Sequence, residues 1–477
     1  MTETTIFLGK SDTRQVLYLP MANRHGLVTG ATGTGKTVSL QIMAEAFSKM
    51  GVPVFAADIK GDLSGISQAG KSIDFLDERA KLVGLDPYTH EATPTIFWDL
   101  FGEQGHPIRA TITEMGPLML SRLMGLTDAQ EGALNIAFKI ADEEGLALLD
   151  LKDLRALLKD LTERGKKITT EYGNVATATV GAILRQLIVI EEQGGDRFFG
   201  EPALDIKDFM RTTRDGRGYV NIIAADKLVS SPMLYATFLL WLMSELFQTL
   251  PEIGDPEKPS LVFFFDEAHL LFTDAPAGLL KKIEQTVKLI RSKGVGIYFV
   301  TQNPLDIPDS VLAQLGNRVQ HALRAYTPRD QQAVKAAATT FRANPKFNTE
   351  KAITELGKGE ALVSVLDPKG VPTVVERTFI RPPSGQLGPV TPAQRQATIA
   401  ASPVAGKYEK MIDRESAYEK LRVKAVANAP AAPASVSPTT KIIQKEAGRF
   451  ARQVGYSLAR QLGTALVRGV LGSLTRR

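Results

Sequence analysis

The sequence predicts an α/β protein, with a core of strands and helices, a helical insertion and a helical C-terminal tail. Two stretches predict the core: "HGLVTGATGTGKT" at residues 25–37 and "LVFFFDE" at residues 261–267. Each contains an apolar run typical of a buried strand, followed directly by glycine or by acidic residues. Between them, residues 107–212 have helical periodicity and almost no strand pattern, which predicts the insertion.

The first stretch contains the phosphate-binding pattern G-x-x-x-x-G-K-[ST] over Gly30–Thr37. An apolar strand is predicted before it and an amphipathic helix after it, which is the arrangement this motif requires. Its glycines permit positive φ angles that turn N–H groups inward as an anion cradle, and the helix adds its positive end. Lys36 is expected to reach the β- and γ-phosphates, and the Thr37 hydroxyl to bind Mg²⁺. The predicted nucleotide-binding residues are Gly30, Ala31, Thr32, Gly33, Thr34, Gly35, Lys36, Thr37 and Val38.

The second stretch carries two acids at the end of a predicted strand. Asp266 is expected to hold Mg²⁺ through its water shell, and Glu267 to orient or deprotonate the attacking water. The next apolar run ends at Gln302, whose amide is expected to sense the γ-phosphate or hold the water; a strand-end cap is the alternative. Lys36 and Asp266 lie 230 residues apart. That is about twice what a minimal core of βαβ units needs, which agrees with an insertion.

Arg291 lies in the last turn of a predicted helix, in "VKLIRSKG". One interpretation is that its charge complements the helix dipole. The other is an arginine finger for a neighbouring subunit's site, a role that increases rates by about 10³–10⁵. Arg318 and Arg324 in "GNRVQHALRA" are rival candidates.

Length and composition limit the class of protein. A chain of 477 residues predicts two to four domains, or one domain with large insertions. The 44% hydrophobic and 23% charged residues are typical of a soluble globular protein. The absence of cysteine excludes disulfides, thiolate zinc sites and cysteine nucleophiles. Neither a cationic-then-apolar leader nor an apolar stretch of about 18 residues occurs, so a cytoplasmic location is expected.

Changes in composition predict the domain boundaries. We predict a first part of the core with a short β lead-in over residues 1–106, the helical insertion over 107–212, the second part of the core over 213–390, a helical extension over 391–426, a flexible Ala/Pro/Ser-rich linker over 427–440 and a basic amphipathic helical tail over 441–477.

The tail carries the chain's positive charge. From Lys441 onward there are eight basic residues and one acid, a net charge of +7 within a whole-chain charge of +5, so the rest of the chain carries −2. Overall charge therefore does not predict that the body binds nucleic acid. A glycine-containing helix of this kind needs a surface to pack on. Three candidate surfaces remain: its own ring, an anionic membrane and DNA phosphates.

Five stretches together resemble the HerA–FtsK superfamily of ring-forming pumping ATPases and, within it, the bacterial HerA-like proteins of unassigned role. They are "GATGTGKT", "FAADIKGDLSG", "LVFFFDEAH", "IRSKGVGIYFVTQNP" and "GNRVQHALRA". The resemblance covers most of residues 1–425. It implies a RecA-like P-loop NTPase core, a hexameric ring with ATP between subunits, and translocation of double-stranded DNA through the pore. It also supports Gln302 as the strand-end sensor and favours Arg291 over Arg318 as the finger. HerA proteins carry an N-terminal β-barrel domain, of which we expect at most a remnant in the first 25 residues of this sequence.

The expected function is Mg²⁺-dependent ATP hydrolysis by a homo-oligomeric, hexameric DNA translocase with helicase-like character. One alternative is a coupling or membrane-associated ATPase that acts on proteins or envelope processes without DNA, for which the basic tail is the supporting feature. Another is a nucleotide switch with slow turnover. The tetrapeptide Asp266–His269 also spells the box of superfamily-2 helicases, but their Q-x-x-G-R-x-x-R motif is absent. ATP is favoured over GTP because no Asn-Lys-x-Asp signature occurs, and His269 and His321 are expected to be structural.

Overall fold

One sheet of twelve strands organises the residues that the computed structural model describes, which are 4–173, 175–228, 231–272 and 277–427. The strands are β1 (Thr5–Lys10), β2 (Arg14–Tyr18), β3 (Gly26–Thr29), β4 (Val54–Asp58), β5 (Thr95–Asp99), β6 (His106–Pro107), β7 (Val220–Ala224), β8 (Leu261–Phe265), β9 (Val295–Thr301), β10 (Asn317–Gln320), β11 (Glu360–Ser364) and β12 (Glu376–Ile380). The α-helices are α1 (Lys36–Lys49), α2 (Asp74–Val83), α3 (Ile112–Leu123), α4 (Asp128–Glu143), α5 (Leu151–Glu163), α6 (Gly165–Tyr172), α7 (Thr177–Glu192), α8 (Gly195–Phe198), α9 (Pro232–Thr249), α10 (Ala277–Ile290), α11 (Asp309–Leu312), α12 (Pro328–Thr339), α13 (Thr349–Glu355), α14 (Pro392–Ala400) and α15 (Ala417–Ala427).

The order of strands in the sheet is β2-β1-β12-β11-β10-β3-β9-β8-β4-β7-β5-β6. The eight strands from β10 to β6 are all parallel, while β2, β1, β12 and β11 pair antiparallel along the other side. In a parallel sheet the carboxyl ends meet at one edge, where ligands bind in open α/β folds. The segments that follow β3, β9, β8 and β4 therefore lie side by side.

The central strands are apolar because both of their faces are covered. Every residue of β3, β4, β5, β7, β8 and β9 is buried, as expected for a parallel sheet between two layers. Alternate side chains enter different cores. Phe55 and Phe263 pack with the helical insertion and α9, with ring centroids 5.0 Å apart, whereas Val54 and Phe264 pack with α1.

The six helices α3–α8 come between β6 and β7 in the sequence, and they pack on one face of the sheet. Their apolar sides, including Leu134, Leu154 and Ile183, join the same core as α9. A capping box between Thr111 and Glu114 starts α3, which kinks at Gly116 (φ +70°). These helices fall inside the predicted insertion, although the domain boundaries themselves remain predictions.

The C-terminal region is only partly helical where it is described. Between α14 and α15 the chain forms turns rather than the continuous helical extension predicted for residues 391–426, and Tyr408 in these turns is fully buried. Contacts divide the chain into two compact units, Met1–Leu421 and Arg422–Arg477, and only 422–427 of the second are described. The predicted tail and nearly all of the predicted linker lie outside the described residues. Within the described residues, no helix has the length and apolarity to span a bilayer.

We predict that Phe55→Ala lowers the free energy of unfolding by about 3–5 kcal/mol, the usual cost of deleting a fully buried phenylalanine. Phe55 is 0% exposed and contacts the rings of Phe209 and Phe263. The matched control is Phe75→Ala, because the Phe75 side chain is 58% exposed. Urea denaturation of the three proteins gives the comparison. Equal losses for the two variants would contradict the assignment of β4 to the core.

Candidate active site

Three glycines in the loop between β3 and α1 have positive φ angles, and that of Gly33 is +77°. Gly30 has a φ angle of +150°, and Gly35, which precedes α1, has +119°. A Cβ atom added to Gly30 would lie 2.5 Å from the Cβ of His321. The first and last parts of the predicted phosphate loop therefore depend on glycine for both conformation and space.

Neighbouring segments of the sheet hold this loop in place. The Ala31 N–H donates to the carbonyl of Ala322, just beyond β10, at 2.8 Å. The Gly359 N–H donates to the carbonyl of Thr34 at 3.0 Å, and the Thr34 hydroxyl donates to the carbonyl of Ala31 at 2.7 Å. The loop is thus fixed from the side of β10 and β11.

His321 lies against Gly30 of the loop and makes two hydrogen bonds to neighbouring segments. Its Nδ1 donates to the carbonyl of Glu360 at 2.9 Å, and its Nε2 accepts from the Ser39 hydroxyl in α1 at 2.8 Å. This arrangement requires a neutral ring, and burial lowers the pKa of His321 to about 4. His321 therefore has the structural place expected from the sequence.

Lys36 lies inside the loop. Its Nζ donates to the carbonyls of Gly30 at 2.6 Å and Ala31 at 3.1 Å, and the residue is buried. Burial lowers the pKa of Lys36, and the charge of Glu267 opposes that shift. The two residues after Lys36 lie in different surroundings. Thr37 contacts Asp62, whereas Val38 is half-buried against the core that contains α1.

Three aspartates, Asp58, Asp62 and Asp266, lie within electrostatic reach of one another, and one of them contacts Thr37. Thr37 Oγ1 donates to Asp62 Oδ2 at 3.0 Å, and Asp62 Oδ1 is buried without a hydrogen-bond partner. Asp58 Oδ2 is also buried without a partner. Burial, together with neighbouring carboxylates, raises the pKa of Asp58 to about 7 and that of Asp266 to about 6. The site therefore contains more carboxylate groups than lysines.

This set of oxygen atoms suits Mg²⁺. The described residues contain no cluster of three or more His, Cys, Asp or Glu side chains arranged to hold a metal by themselves. Protein-bound Mg²⁺ commonly takes only one or two carboxylates and completes its shell with water and substrate phosphates. The Thr37 hydroxyl, the unpartnered oxygen of Asp62 and the buried Asp266 fit such a partial shell.

Glu267 and Gln302 meet because β9 lies between β3 and β8. Gln302 Nε2 donates to both carboxylate oxygens of Glu267, at 3.2 Å each. The Thr32 hydroxyl of the loop donates to Gln302 Oε1 at 3.2 Å. One amide therefore joins the loop to the acid. Glu267 itself has a φ angle of +46°, an uncommon conformation for a non-glycine residue and one that clusters at functional sites.

Lys60 is the other partner of Glu267. Its Nζ lies 2.6 Å from Glu267 Oε1. Burial by itself raises the pKa of Glu267, but Lys60, with smaller contributions from Gln302 and His269, holds the pKa below its usual range. His269 Nδ1 lies 3.5 Å from the other carboxylate oxygen.

Arg291 lies away from these residues. It follows α10 and precedes β9, so it is at the amino end of β9, opposite the edge where Gln302 lies. Its Nη2 is 3.1 Å from Asp255, and Arg24 Nη2 is 3.2 Å from the same carboxylate. The structure therefore does not bring Arg291 to its own chain's loop.

The two rival arginines differ in their availability. Arg318 is half-buried and donates to the carbonyls of Leu315 and Leu312, both at 3.1 Å. Arg324 is exposed beyond the carboxyl end of β10 and donates to the carbonyl of Thr354 at 2.9 Å. Two backbone carbonyls therefore hold the Arg318 guanidinium, and among the described residues one carbonyl holds that of Arg324.

Sequence reasoning did not assign roles to Lys60 and Asp62. The signal was present, because "DIKGD" directly follows the apolar run of β4, and polar residues there face the ligand edge. The contacts themselves, with Glu267 from β8 and Thr37 from α1, join segments 207 and 25 residues apart. No local pattern specifies such pairs.

Comparison with known proteins identifies one family and one fold. The family model described as "Helicase HerA-like C-terminal" matches residues 3–477. No curated protein matches the chain. Among solved structures, the bacterial conjugative coupling protein TrwBdeltaN70 in its unbound form is 17% identical, covers 80% of this chain and 92% of its own, and has a TM-score of 0.50. VirB4 of Thermoanaerobacter pseudethanolicus is 13% identical, with 82% and 98% covered and a TM-score of 0.50. At these identities the likeness shows the fold alone, a RecA-like α/β core.

We predict that acid destabilises the protein partly through His321. Its pKa is about 4 in the folded chain against an ordinary 6.5, so the folded state binds fewer protons between these values and stability falls as the pH falls through them. The full shift corresponds to about 3 kcal/mol. Urea unfolding between pH 7 and 4 should show a shallower loss for His321→Gln. His25, which is shifted in the same way, leaves part of the slope. Identical slopes would contradict a buried neutral His321.

Proposed function

The chain belongs to the family of HerA-like helicase C-terminal proteins, and we propose that it is a Mg²⁺-dependent P-loop ATPase working as a ring-forming motor on double-stranded DNA. The observation that supports this most is the series of contacts from Thr32 to Gln302 to Glu267. It connects the predicted phosphate loop to a carboxylate that can act on water. Hydrolysis of a terminal phosphate requires both groups in one place.

In the proposed reaction, a water oxygen attacks the γ-phosphorus of ATP and the bond to the β–γ bridging oxygen breaks, so that ADP leaves with that electron pair. Glu267 accepts a proton of the water, and Gln302 orients the water from the neighbouring strand. Lys36 balances charge on the β- and γ-phosphates. Mg²⁺, when bound by Thr37, Asp62 and Asp266, would neutralise charge on the phosphate oxygens.

We further propose that the protein is a cytoplasmic homo-oligomer, in the form of a hexamer, with Arg291 as a finger for the adjacent subunit. The position of Arg291 supports this, because it is distant from its own loop and its side chain is 38% exposed. Arg318 is the weaker candidate, since its guanidinium is committed to backbone carbonyls.

The alternative function is a coupling or membrane-associated ATPase that acts on proteins without DNA. Two observations favour it: the solved structures of similar fold include a protein named as a conjugative coupling protein, and the positive charge of the chain is concentrated after Lys441. A basic tail of this kind can bind an anionic membrane, DNA phosphates or its own ring. Membrane binding agrees with the coupling alternative, and DNA binding agrees with the DNA motor.

The test of the proposed function is ATP turnover measured with and without double-stranded DNA, with light scattering to give the oligomer size. We expect DNA to stimulate turnover and DNA affinity to fall as salt rises, since phosphate contacts release counterions. Turnover that ignores DNA at every salt concentration would favour the coupling alternative.

Two variants separate binding from turnover in the same assay. Lys36→Ala should nearly abolish nucleotide binding, because the loop loses the cation that faces the phosphates. Glu267→Gln keeps the shape and the amide contact but removes the base, so binding should persist while turnover falls at least about 10²-fold. Normal turnover in either variant would refute this site.

We predict that Arg291→Ala retains nucleotide binding and loses most turnover, on the order of 10³-fold. Arg24→Ala is the matched control, because both arginines contact Asp255. Mixing Arg291→Ala with Lys36→Ala subunits should restore part of the activity, since each supplies what the other lacks. Equal losses in the two arginine variants, or no rescue in oligomers of normal size, would favour the helix-dipole role or Arg318.

A further inference from the structure

Lys60 contacts Glu267, the carboxylate proposed to accept a proton from the attacking water. A buried carboxylate that is to take a proton from water is instead held by a lysine at 2.6 Å, and the same oxygen accepts from Gln302. The Lys60 ammonium and the Gln302 amide both bind the oxygen with which Glu267 would accept a proton from water. In this arrangement Glu267 is restrained.

The two partners differ in freedom. The Glu267 side chain is 7% exposed, and the residue precedes a short turn one residue after the end of β8. The Lys60 side chain is 44% exposed and lies in the loop after β4, on a flexible four-carbon stem. If the pair separates, Lys60 is the member that can move.

The surroundings of Lys60 indicate where it would move. Its charge interacts with Asp266 and Asp62, and it also lowers the pKa of Lys36. Lys60 thus lies within electrostatic reach of the lysine that faces the phosphates, on the side of the acids. A γ-phosphate bound in the loop would bring a second, stronger anion to this region.

We propose that Lys60 holds Glu267 in the nucleotide-free protein and exchanges this carboxylate for the terminal phosphate when ATP binds. Lys60 is then the residue by which the site distinguishes ATP from ADP, and its departure releases Glu267 to act on water. This inference rests on the proposed function, because it takes the loop to be a nucleotide site.

The binding test compares ADP with a non-hydrolysable ATP analogue, both with Mg²⁺, by calorimetry. In Lys60→Met, the affinity for the analogue should fall about tenfold or more, as expected for loss of one charge-assisted contact, while the ADP affinity stays within about twofold. Lys60→Arg, which keeps the charge, should recover most of the loss. Lys71→Met is the matched control, because Lys71 is exposed in the segment after the same strand.

The exchange also predicts coupling between the two residues. Glu267→Gln removes the competing anion, so it should bind the analogue more tightly than the wild type. That gain should vanish in the double variant Lys60→Met/Glu267→Gln, which a double-mutant cycle detects as an interaction energy. ADP binding should not change in any of these proteins.

Each other result is informative. Equal weakening of ADP and the analogue in Lys60→Met would mean a structural role and overturn the exchange, as would unchanged binding of both. Lys60→Met could lose affinity for the ATP analogue alone while the wild-type protein shows no ATP hydrolysis. That combination would support the role of Lys60 and overturn the proposed function. A wild-type protein that binds neither nucleotide would overturn both.

Discussion

The site depends on the parallel alignment of four neighbouring strands. The register pairs Thr29 with Thr301 and Phe265 with Phe299, so β3 and β9 end level with each other and β8 ends two residues earlier. Burial on both faces holds this register, because a slip of one residue would exchange the side chains between the two cores. The loop, the acids and the amide are each local features, but only the sheet makes them one site.

The site contains more carboxylates than cations. Asp58, Asp62, Asp266 and Glu267 lie close to two lysines, Lys36 and Lys60. Burial, together with the neighbouring carboxylates, raises the pKa values of Asp58 and Asp266. A divalent cation would relieve the repulsion, and phosphates would then engage the lysines. Under the proposed function, the site would receive metal and nucleotide together, with Lys60 exchanging one kind of anion for the other.

The residue pattern predicted the α/β fold class, the resemblance to a family predicted its RecA-like core, and both are confirmed. Gly30–Thr37, Glu267 and Gln302 each follow an apolar run directly, so a strand and its edge could be inferred from local pattern. The antiparallel side of the sheet was less accessible: β1 pairs with β12, more than 360 residues later, and no periodicity encodes that partner. The Lys60–Glu267 contact is hidden for the same reason, since it arises only when β4 and β8 become neighbours.

The pairing of β1 with β12 has a consequence for the order in which the chain can fold during synthesis. Gly9 is opposite Ile380, and β3 lies between β9 and β10, both some 270 residues or more downstream. At about 5–20 residues per second, a ribosome takes roughly 20–70 s to make β12 after β1. β9 and β10 are made in the later part of that interval, and until then β3 has neither neighbour and its apolar side chains need other cover. The loop Gly30–Thr37, although encoded near the start of the chain, makes its contacts with Ala322 and Gly359 only late in synthesis. The rate of its assembly is limited by these long-range contacts.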